Sequence, residues 1–107
     1  MDREDFLDFG SLQIDLTQRK VLLNGRVLDL SVKEFDILAM FASNPGIVVT
    51  HEIIFNRVWG YNLPDYKNSV NTQIVSLRKK IEKDPEHPKI IQTVWGQGYK
   101  FTDSPKF

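Results

Sequence analysis

Residues 67–83 read KNSVNTQIVSLRKKIEK, and the rest of the chain is organised around this stretch. Its apolar residues recur at intervals of three and four, the period of an α-helix with one buried stripe, and they are Val70, Ile74, Leu77 and Ile81. The opposite face carries amides, hydroxyls, lysines and one small apolar side chain, from Asn68, Thr72, Val75, Ser76, Lys79 and Lys83. Asn71 and Arg78 lie on the flanks. The stretch predicts one helix over residues 67–83.

The outward face of this helix has two interpretations. Amides, hydroxyls and lysines are groups that meet base edges and phosphates in the major groove of DNA. The same groups also make an ordinary solvated helix face, and the isolated helix favours that simpler interpretation. The rest of the chain has to decide between the two.

Length and composition narrow the class of protein. The 107 residues predict a single domain over 1–107. There is no cysteine, which excludes a disulfide framework and a thiolate zinc site. No apolar run approaches the roughly 18 residues of a membrane span, and the acidic start MDREDF is not a signal peptide. We expect a cytoplasmic protein with no membrane segment, metal or cofactor.

Charge is distributed unevenly along the chain, although the formal net charge is zero. Residues 1–66 hold six Lys/Arg and ten Asp/Glu, a net charge of −4, whereas residues 67–100 hold seven Lys/Arg and three Asp/Glu, a net charge of +4. The predicted helix and the residues after it therefore form the basic end of the molecule. Such an asymmetry indicates a surface that faces a polyanion, with a chance fluctuation as the alternative.

The first part of the chain reads as β-structure. Leu12, Ile14 and Leu16 alternate with polar residues, which is typical of a half-buried strand. Asn24-Gly25 separates KVLL from RVLDL and predicts a two-residue type I′ hairpin. Residues 6–30 are therefore predicted to form an antiparallel sheet of four short strands, which buries the apolar faces of helices.

Two further helices precede the stretch quoted above. The segment 31–34, SVKE, is a capping box in front of an apolar run of helical period, and it predicts a first helix over residues 32–43. Asn-Pro-Gly at 44–46 ends that helix, and residues 47–49 form an extended link. Thr50 is the predicted N-cap of a second helix over residues 51–59, which Gly60 ends.

A β-hairpin completes the predicted order of elements. Pro85 stops the third helix, and two β runs flank a Gly-Gln-Gly reversal within residues 90–101. The predicted fold class is α+β: an N-terminal antiparallel four-stranded sheet, three helices and a C-terminal β-hairpin.

An enzyme is one competing class, and the sequence offers little for it. His51 and His87 lie in different predicted elements, and the chain has no Cys nucleophile. Carboxylates such as Glu52 and Asp65 have no partner at a recognisable spacing. Gly96 and Gly98 serve the hairpin reversal, because a phosphate-binding loop would need a following helix. We therefore predict a binding protein without catalytic residues.

Two helices joined by a loop, the second basic and outward-polar, are typical of a helix-turn-helix, and the hairpin behind them is typical of a wing. The chain resembles the OmpR/PhoB-type winged-helix domain, the effector half of bacterial two-component response regulators, from about Leu7 to Phe101. The resemblance rests on five segments in order: LSVKEF at 30–35, NPGIVV at 44–49, RVWGY at 57–61, LRKKI at 77–81 and TVWGQGYKF at 93–101.

The resemblance implies a phosphorelay-controlled regulator of transcription that binds double-stranded DNA sequence-specifically. The third helix would enter the major groove and the wing the adjacent minor groove. The loop from Trp59 to Tyr66 would contact RNA polymerase. An upstream receiver domain, which is absent from this chain, would control pairing on direct-repeat half-sites, so we expect the isolated domain to be monomeric and to dimerise on DNA.

The chain departs from the family at the expected interface. The family often has cations where Asn68, Val75 and Ser76 stand, and an Arg at the wing tip where Trp95 stands. These departures bear on target sequence and affinity. They also leave weight for an alternative, a winged helix that serves mainly protein contact with weak or no DNA binding.

The predicted site follows from helix facing and from the resemblance together. Lys67, Arg78 and Lys79 are expected to contact phosphates. Asn68, Asn71, Thr72, Val75 and Ser76 are expected to face bases, with Asn71 pairing bidentately with adenine and Val75 contacting a thymine methyl. In the wing, Thr93 is either a phosphate donor or an ordinary strand residue. Trp95 either lies against DNA or packs back beside Tyr99.

Overall fold

The structure is a computed structural model that describes residues 5–60 and 64–102. It contains two antiparallel sheets and three helices, which confirms the predicted fold class. In chain order the elements are β1 (Phe6–Asp8), β2 (Leu12–Asp15), β3 (Lys20–Leu23), β4 (Arg26–Val27), α1 (Val32–Ala42), β5 (Val48–Val49), α2 (His51–Trp59), α3 (Tyr66–Ile81), β6 (Ile91–Val94) and β7 (Gly98–Phe101).

The N-terminal sheet is a meander in which β1, β2, β3 and β4 pair in chain order. Leu12 pairs with Leu23 and Ile14 with Val21, so the apolar side chains of β2 and β3 share one face. The turn at Asn24-Gly25 has φ angles of 53° and 79°. Two successive positive φ angles define the type I′ turn that the sequence predicted. The buried side chains of this sheet belong to the same core as those of α1.

Side-chain caps start the first two helices where the sequence placed them. Ser31 Oγ accepts a hydrogen bond from the Glu34 amide at 3.1 Å, and Glu34 Oε1 accepts one from the Ser31 amide at 2.8 Å, which completes the capping box. Thr50 Oγ1 accepts from the Ile53 amide at 3.1 Å. Helix α2 ends at Gly60, which adopts φ 81°.

Helix α3 ends at Ile81, two residues before the predicted end at 83. Glu82 is extended, with φ −85° and ψ 140°, and it is buried. Its carboxylate accepts hydrogen bonds of 2.8–3.1 Å from three successive amides, those of Lys89, Ile90 and Ile91. Leaving the helix lets Glu82 anchor the start of the wing, which explains the early end.

The wing is part of a three-stranded sheet, in the order β5, β7, β6. Residues 47–49 were predicted only as an extended link, but β5 pairs antiparallel with β7 through Val48–Lys100 and Val49–Tyr99. Gly98 makes this close approach possible, because a Cβ there would lie 2.2 Å from the Val49 carbonyl oxygen. The wing is thereby attached to the segment that leads directly into α2.

The predicted apolar stripe of α3 is fully inside the protein. Val70, Ile74 and Leu77 have no exposed surface, and Ile81 is 2% exposed. Phe41 of α1, Phe55 of α2 and Phe101 of β7 belong to the same core. Burial of this stripe fixes the rotation of α3 about its axis and thereby decides which side chains it presents outward.

Within residues 5–60 and 64–102, no helix has the length and apolar character needed to cross a bilayer.

Candidate nucleic-acid interface

One row of exposed side chains runs along the outer surface of α3. Asn68, Thr72, Val75 and Lys79 are all exposed, Val75 to 51%. We call these four residues the exposed strip. Thr72 donates its hydroxyl hydrogen to the Asn68 carbonyl oxygen at 2.9 Å, so it presents its methyl group and oxygen lone pairs outward. The strip thus offers an amide, an oxygen acceptor, an apolar group and a cation.

Ser76 is not on this outer face, and the sequence-based placement of it there was wrong. Its side chain is half-buried, and its hydroxyl donates to Glu34 Oε2 on α1. Lys80, one turn further along α3, donates to Glu34 Oε1 at 2.7 Å and to the Asp29 carbonyl oxygen at 2.9 Å. This side of α3 therefore faces α1, and Ser76 serves helix packing.

The Glu34 carboxylate is almost fully buried. Burial alone would raise its pKa, but hydrogen bonds from Lys80, Ser76 and the Ser31 amide outweigh burial and hold the pKa at about 2, against an ordinary value of 4.5. Glu34 is therefore charged at neutral pH. It fixes the distance between α1 and α3.

Arg78 occupies the opposite flank of α3 and reaches the wing. Its Nε and Nη2 donate to the Ile91 carbonyl oxygen at 3.0 and 2.7 Å, and Nη2 also donates to Thr93 Oγ1 at 2.9 Å. The guanidinium lies 5.4 Å from the ring centroid of Tyr99. Burial lowers the pKa of Arg78, with Tyr99 and Glu82 acting in the opposite direction. These contacts correct the sequence-based role of Arg78: the side chain ties α3 to β6 rather than pointing freely toward a phosphate.

Asn71 lies on the same flank, and its side-chain oxygen is hydrogen-bonded within the protein. Its Oδ1 accepts a hydrogen bond from the Tyr99 hydroxyl at 2.5 Å and lies 2.8 Å from Nε2 of His51, the first residue of α2. The His51 ring stands edge-on to the Tyr99 ring, with centroids 5.1 Å apart. Burial raises the pKa of Tyr99, so the phenol keeps its proton at neutral pH.

We name the residues that join α3 to the wing and to α2 the α3–wing seam, which comprises His51, Asn71, Arg78, Thr93 and Tyr99. Sequence analysis missed His51 as a member, because nothing in the sequence brings the first residue of α2 next to the middle of α3. Tyr99 is buried and packs within the seam. Thr93 is half-buried and accepts from Arg78, which makes it part of the seam whatever else it contacts.

Trp95 projects from the tip of the wing and is 88% exposed. Gly96 follows it with φ 80°, which closes the reversal between β6 and β7. The indole therefore does not pack back beside Tyr99, which was one of the two roles left open by the sequence. An exposed side chain of this size offers a large apolar face to whatever approaches the wing.

An open cleft of about 480 Å³ lies between the start of α2, the first half of α3 and the wing. Lys67, Asn71 and Trp95 all contribute to its lining. The structure thus brings the basic first turn of α3 next to the wing tip. The predicted polymerase-contact loop, Trp59 to Tyr66, is only partly covered, because residues 61–63 lie outside the described residues.

Comparisons with known proteins agree with this geometry. The family model "Transcriptional regulatory protein, C terminal" matches residues 25–101. The chain belongs to this family. It is an OmpR/PhoB-type winged-helix domain, the class found in DNA-binding response regulators.

Relatives of the family show how much of a longer protein the chain represents. The DNA-binding response regulator MtrA of Mycolicibacterium smegmatis is 40% identical over 96 residues, 90% of this chain and 42% of MtrA. The response regulator DrrB of Thermotoga maritima, an OmpR/PhoB homolog, matches with a TM-score of 0.86 and 42% identity over 94% of this chain and 45% of DrrB. The chain therefore spans less than half the length of either protein.

A solved DNA-binding domain corresponds to the chain over nearly its full length. The RstA DNA-binding domain of Klebsiella pneumoniae, crystallised with the RstA box, matches with a TM-score of 0.85 and 32% identity. The match covers 92% of this chain and 98% of the RstA domain. The fold of this family is thus the same as that of a domain whose structure includes DNA.

Proposed function

We propose that this domain binds double-stranded DNA sequence-specifically, as the effector domain of a two-component response regulator. The observation that carries the proposal is the exposed strip of α3. The helix buries its apolar stripe completely, and the strip presents hydrogen-bonding groups and a lysine outward beside a protruding wing. This is the geometry of a recognition helix that enters the major groove. The related RstA domain, which was crystallised with the RstA box, supports DNA binding by this fold.

In this mode Lys67 and Lys79 contact phosphates and place the domain on the duplex. Asn68, Thr72 and Val75 face base edges, with Val75 against a thymine methyl. Trp95 lies with its apolar face against sugars in the adjacent minor groove. Thr93, whose hydroxyl hydrogen is not needed by Arg78, donates to a phosphate. The proposed activity is binding alone, with no catalysis, metal or cofactor.

Selection of bound duplexes from a random DNA pool tests this function. We expect enrichment of one short motif, and binding to that motif should weaken steeply as salt rises because counterions are released from the contacted phosphates. The control is a duplex of scrambled sequence and equal length. Failure to enrich any sequence, or affinity that does not depend on salt, would contradict the proposal.

A second candidate, protein contact by the same surface, is favoured by the two apolar groups exposed there, Val75 at 51% and Trp95 at 88%. It predicts little retention on a DNA or heparin column at low salt, whereas DNA binding predicts retention that salt reverses. We give priority to DNA binding, because this surface belongs to residues 67–100, the basic part of the chain.

The proposal extends to partners. We propose that two copies bind direct-repeat half-sites, that the Trp59 to Tyr66 loop contacts RNA polymerase, and that a receiver domain of a longer cytoplasmic protein controls pairing. Family membership supports all three roles, since longer relatives such as MtrA are response regulators.

A further inference from the structure

We propose that Asn71 contacts DNA only as a hydrogen-bond donor, and that Tyr99 and His51 are positioning residues that impose this on it. The inference rests on the proposed function and assigns one base preference within it. It replaces the expectation that Asn71 pairs bidentately with adenine.

The first step is the identity of the atom that faces Tyr99. The Tyr99 hydroxyl donates its hydrogen to Asn71 Oδ1, so the atom that faces Tyr99 is the amide oxygen. Since that oxygen can only accept, His51 Nε2, at 2.8 Å, must carry its hydrogen toward it.

The second step is the capacity of that oxygen. An amide oxygen has two lone pairs, and the Tyr99 hydroxyl and His51 Nε2 occupy both. The same two bonds fix the plane of the amide and turn its nitrogen away from Tyr99. Asn71 is exposed, and among residues 5–60 and 64–102 no group accepts a hydrogen bond from Nδ2. Two N–H donors therefore remain for an external acceptor, at the edge of the cleft between α3 and the wing.

The third step is the consequence for base readout. Bidentate recognition of adenine needs the amide nitrogen to donate to N7 and the amide oxygen to accept from the N6 amino group. With Oδ1 committed to the α3–wing seam, only the donor half is available. Adenine and guanine both present N7 as an acceptor in the major groove. Asn71 should thus accept adenine or guanine through N7, or thymine through O4, and it should disfavour the amino group of cytosine.

The test compares selected motifs and single-site affinities for the wild-type domain and for Tyr99→Phe. Removing the hydroxyl frees one lone pair of Asn71 Oδ1, so the position read by Asn71 should change from one that disfavours only cytosine to one that prefers adenine. We expect the ratio of adenine to guanine affinity to rise about tenfold, the usual discrimination of a bidentate pair. His51→Ala, which frees the other lone pair, should act in the same direction.

Tyr66→Phe is the matched control, because it deletes the same hydroxyl from a tyrosine whose ring packs on Phe55 and whose hydroxyl does not contact Asn71. It should leave the base preference unchanged. A melting curve for each variant verifies that the fold is intact. Asn71→Ala should abolish the base preference at the same position.

Three outcomes are informative. Wild-type domain that enriches no motif contradicts the proposed function itself. A motif that is enriched but shows strict adenine preference at every position changed by Asn71→Ala overturns the inference alone. So does a Tyr99→Phe variant that loses affinity equally for all four bases, because that result would indicate a structural role for Tyr99.

Discussion

At the scale of single residues, Glu34 connects the start of α1 to α3 through two oxygen atoms. It accepts from the Ser31 amide at the start of α1 and from Ser76 and Lys80 on α3. A buried carboxylate satisfied in this way stabilises the fold only while it is ionised. Its contribution should therefore depend on pH.

The free energy of unfolding should decrease as the pH is lowered, because Glu34 then loses its charge. The pKa is about 2 in the folded protein against 4.5 ordinarily, so the contribution is complete above pH 4.5 and is lost as pH falls through about 2. The difference amounts to about 3 kcal/mol at neutral pH, about 60% of which is gone by pH 3. Urea titrations of wild type and Glu34→Gln between pH 7 and pH 3 measure it.

Glu34→Gln should be less stable at pH 7, with a difference from wild type that shrinks on acidification. Asp36→Asn, a change to an α1 carboxylate that pairs with Arg19 near the surface, serves as the control for altered charge. A Glu34→Gln curve that stays parallel to the wild-type curve throughout would mean that Glu34 ionisation does not support folding.

Lys79 and Trp95 should differ in how salt affects their contribution to DNA binding. Lys79→Ala removes one phosphate contact and should lower the slope of log affinity against log salt by about 1. Trp95→Ala should weaken binding with the slope nearly unchanged, because an indole releases no counterion. Filter or fluorescence titrations at several salt concentrations, after melting curves, provide both numbers. Equal affinity of folded Trp95→Ala and wild type would remove Trp95 from the interface.

At the scale of elements, the rotation of α3 decides the site, and one pair of variants tests it. Ile74→Asp should unfold the domain, because it places an unpaired charge at a position with no exposed surface. Thr72→Ala should change stability by no more than roughly 0.5 kcal/mol. Ile74→Val, expected to cost about 1 kcal/mol, is the control for disturbance of packing alone. If Thr72→Ala lowers the melting temperature as much as a core truncation does, α3 is rotated about its axis differently from the structure described.

Local signals predicted most of the elements. The capping box at Ser31, the N-cap at Thr50 and the turn at Asn24-Gly25 act through neighbours within three residues, so the sequence is enough to place them. Strand β5 was missed because two residues are too few to alternate, and its partner lies about 50 positions further along the chain.

The site was harder to predict than the fold for the same reason. A helical period specifies the angle of each side chain about α3 but not the partner it meets there. Ser76 and Arg78 were assigned to DNA by angle and by charge. The structure turns Ser76 to a carboxylate on α1 and Arg78 to a carbonyl group on β6. Both partners belong to elements whose positions depend on the tertiary fold.

At the scale of the whole molecule, charge is separated along the chain, with −4 in residues 1–66 and +4 in residues 67–100. We expect the free domain to be a monomer, and a duplex with two direct half-sites to be bound more tightly than one with a single half-site. Binding of the first copy places the second at a high effective concentration. Sedimentation of the free domain and titration of both duplexes check this. A stable dimer at micromolar concentration without DNA would contradict it.

The sheet formed by β5, β7 and β6 has a mechanical consequence. Strand β5 runs directly into α2, and Arg78 and Glu82 hold the start of β6 against the end of α3, so the base of the hairpin cannot swing independently of the helices. A duplex must then offer its two adjacent grooves at a separation that the protein sets in advance. Base pairs between the two contacts should influence affinity through groove width and stiffness even where no side chain reaches them.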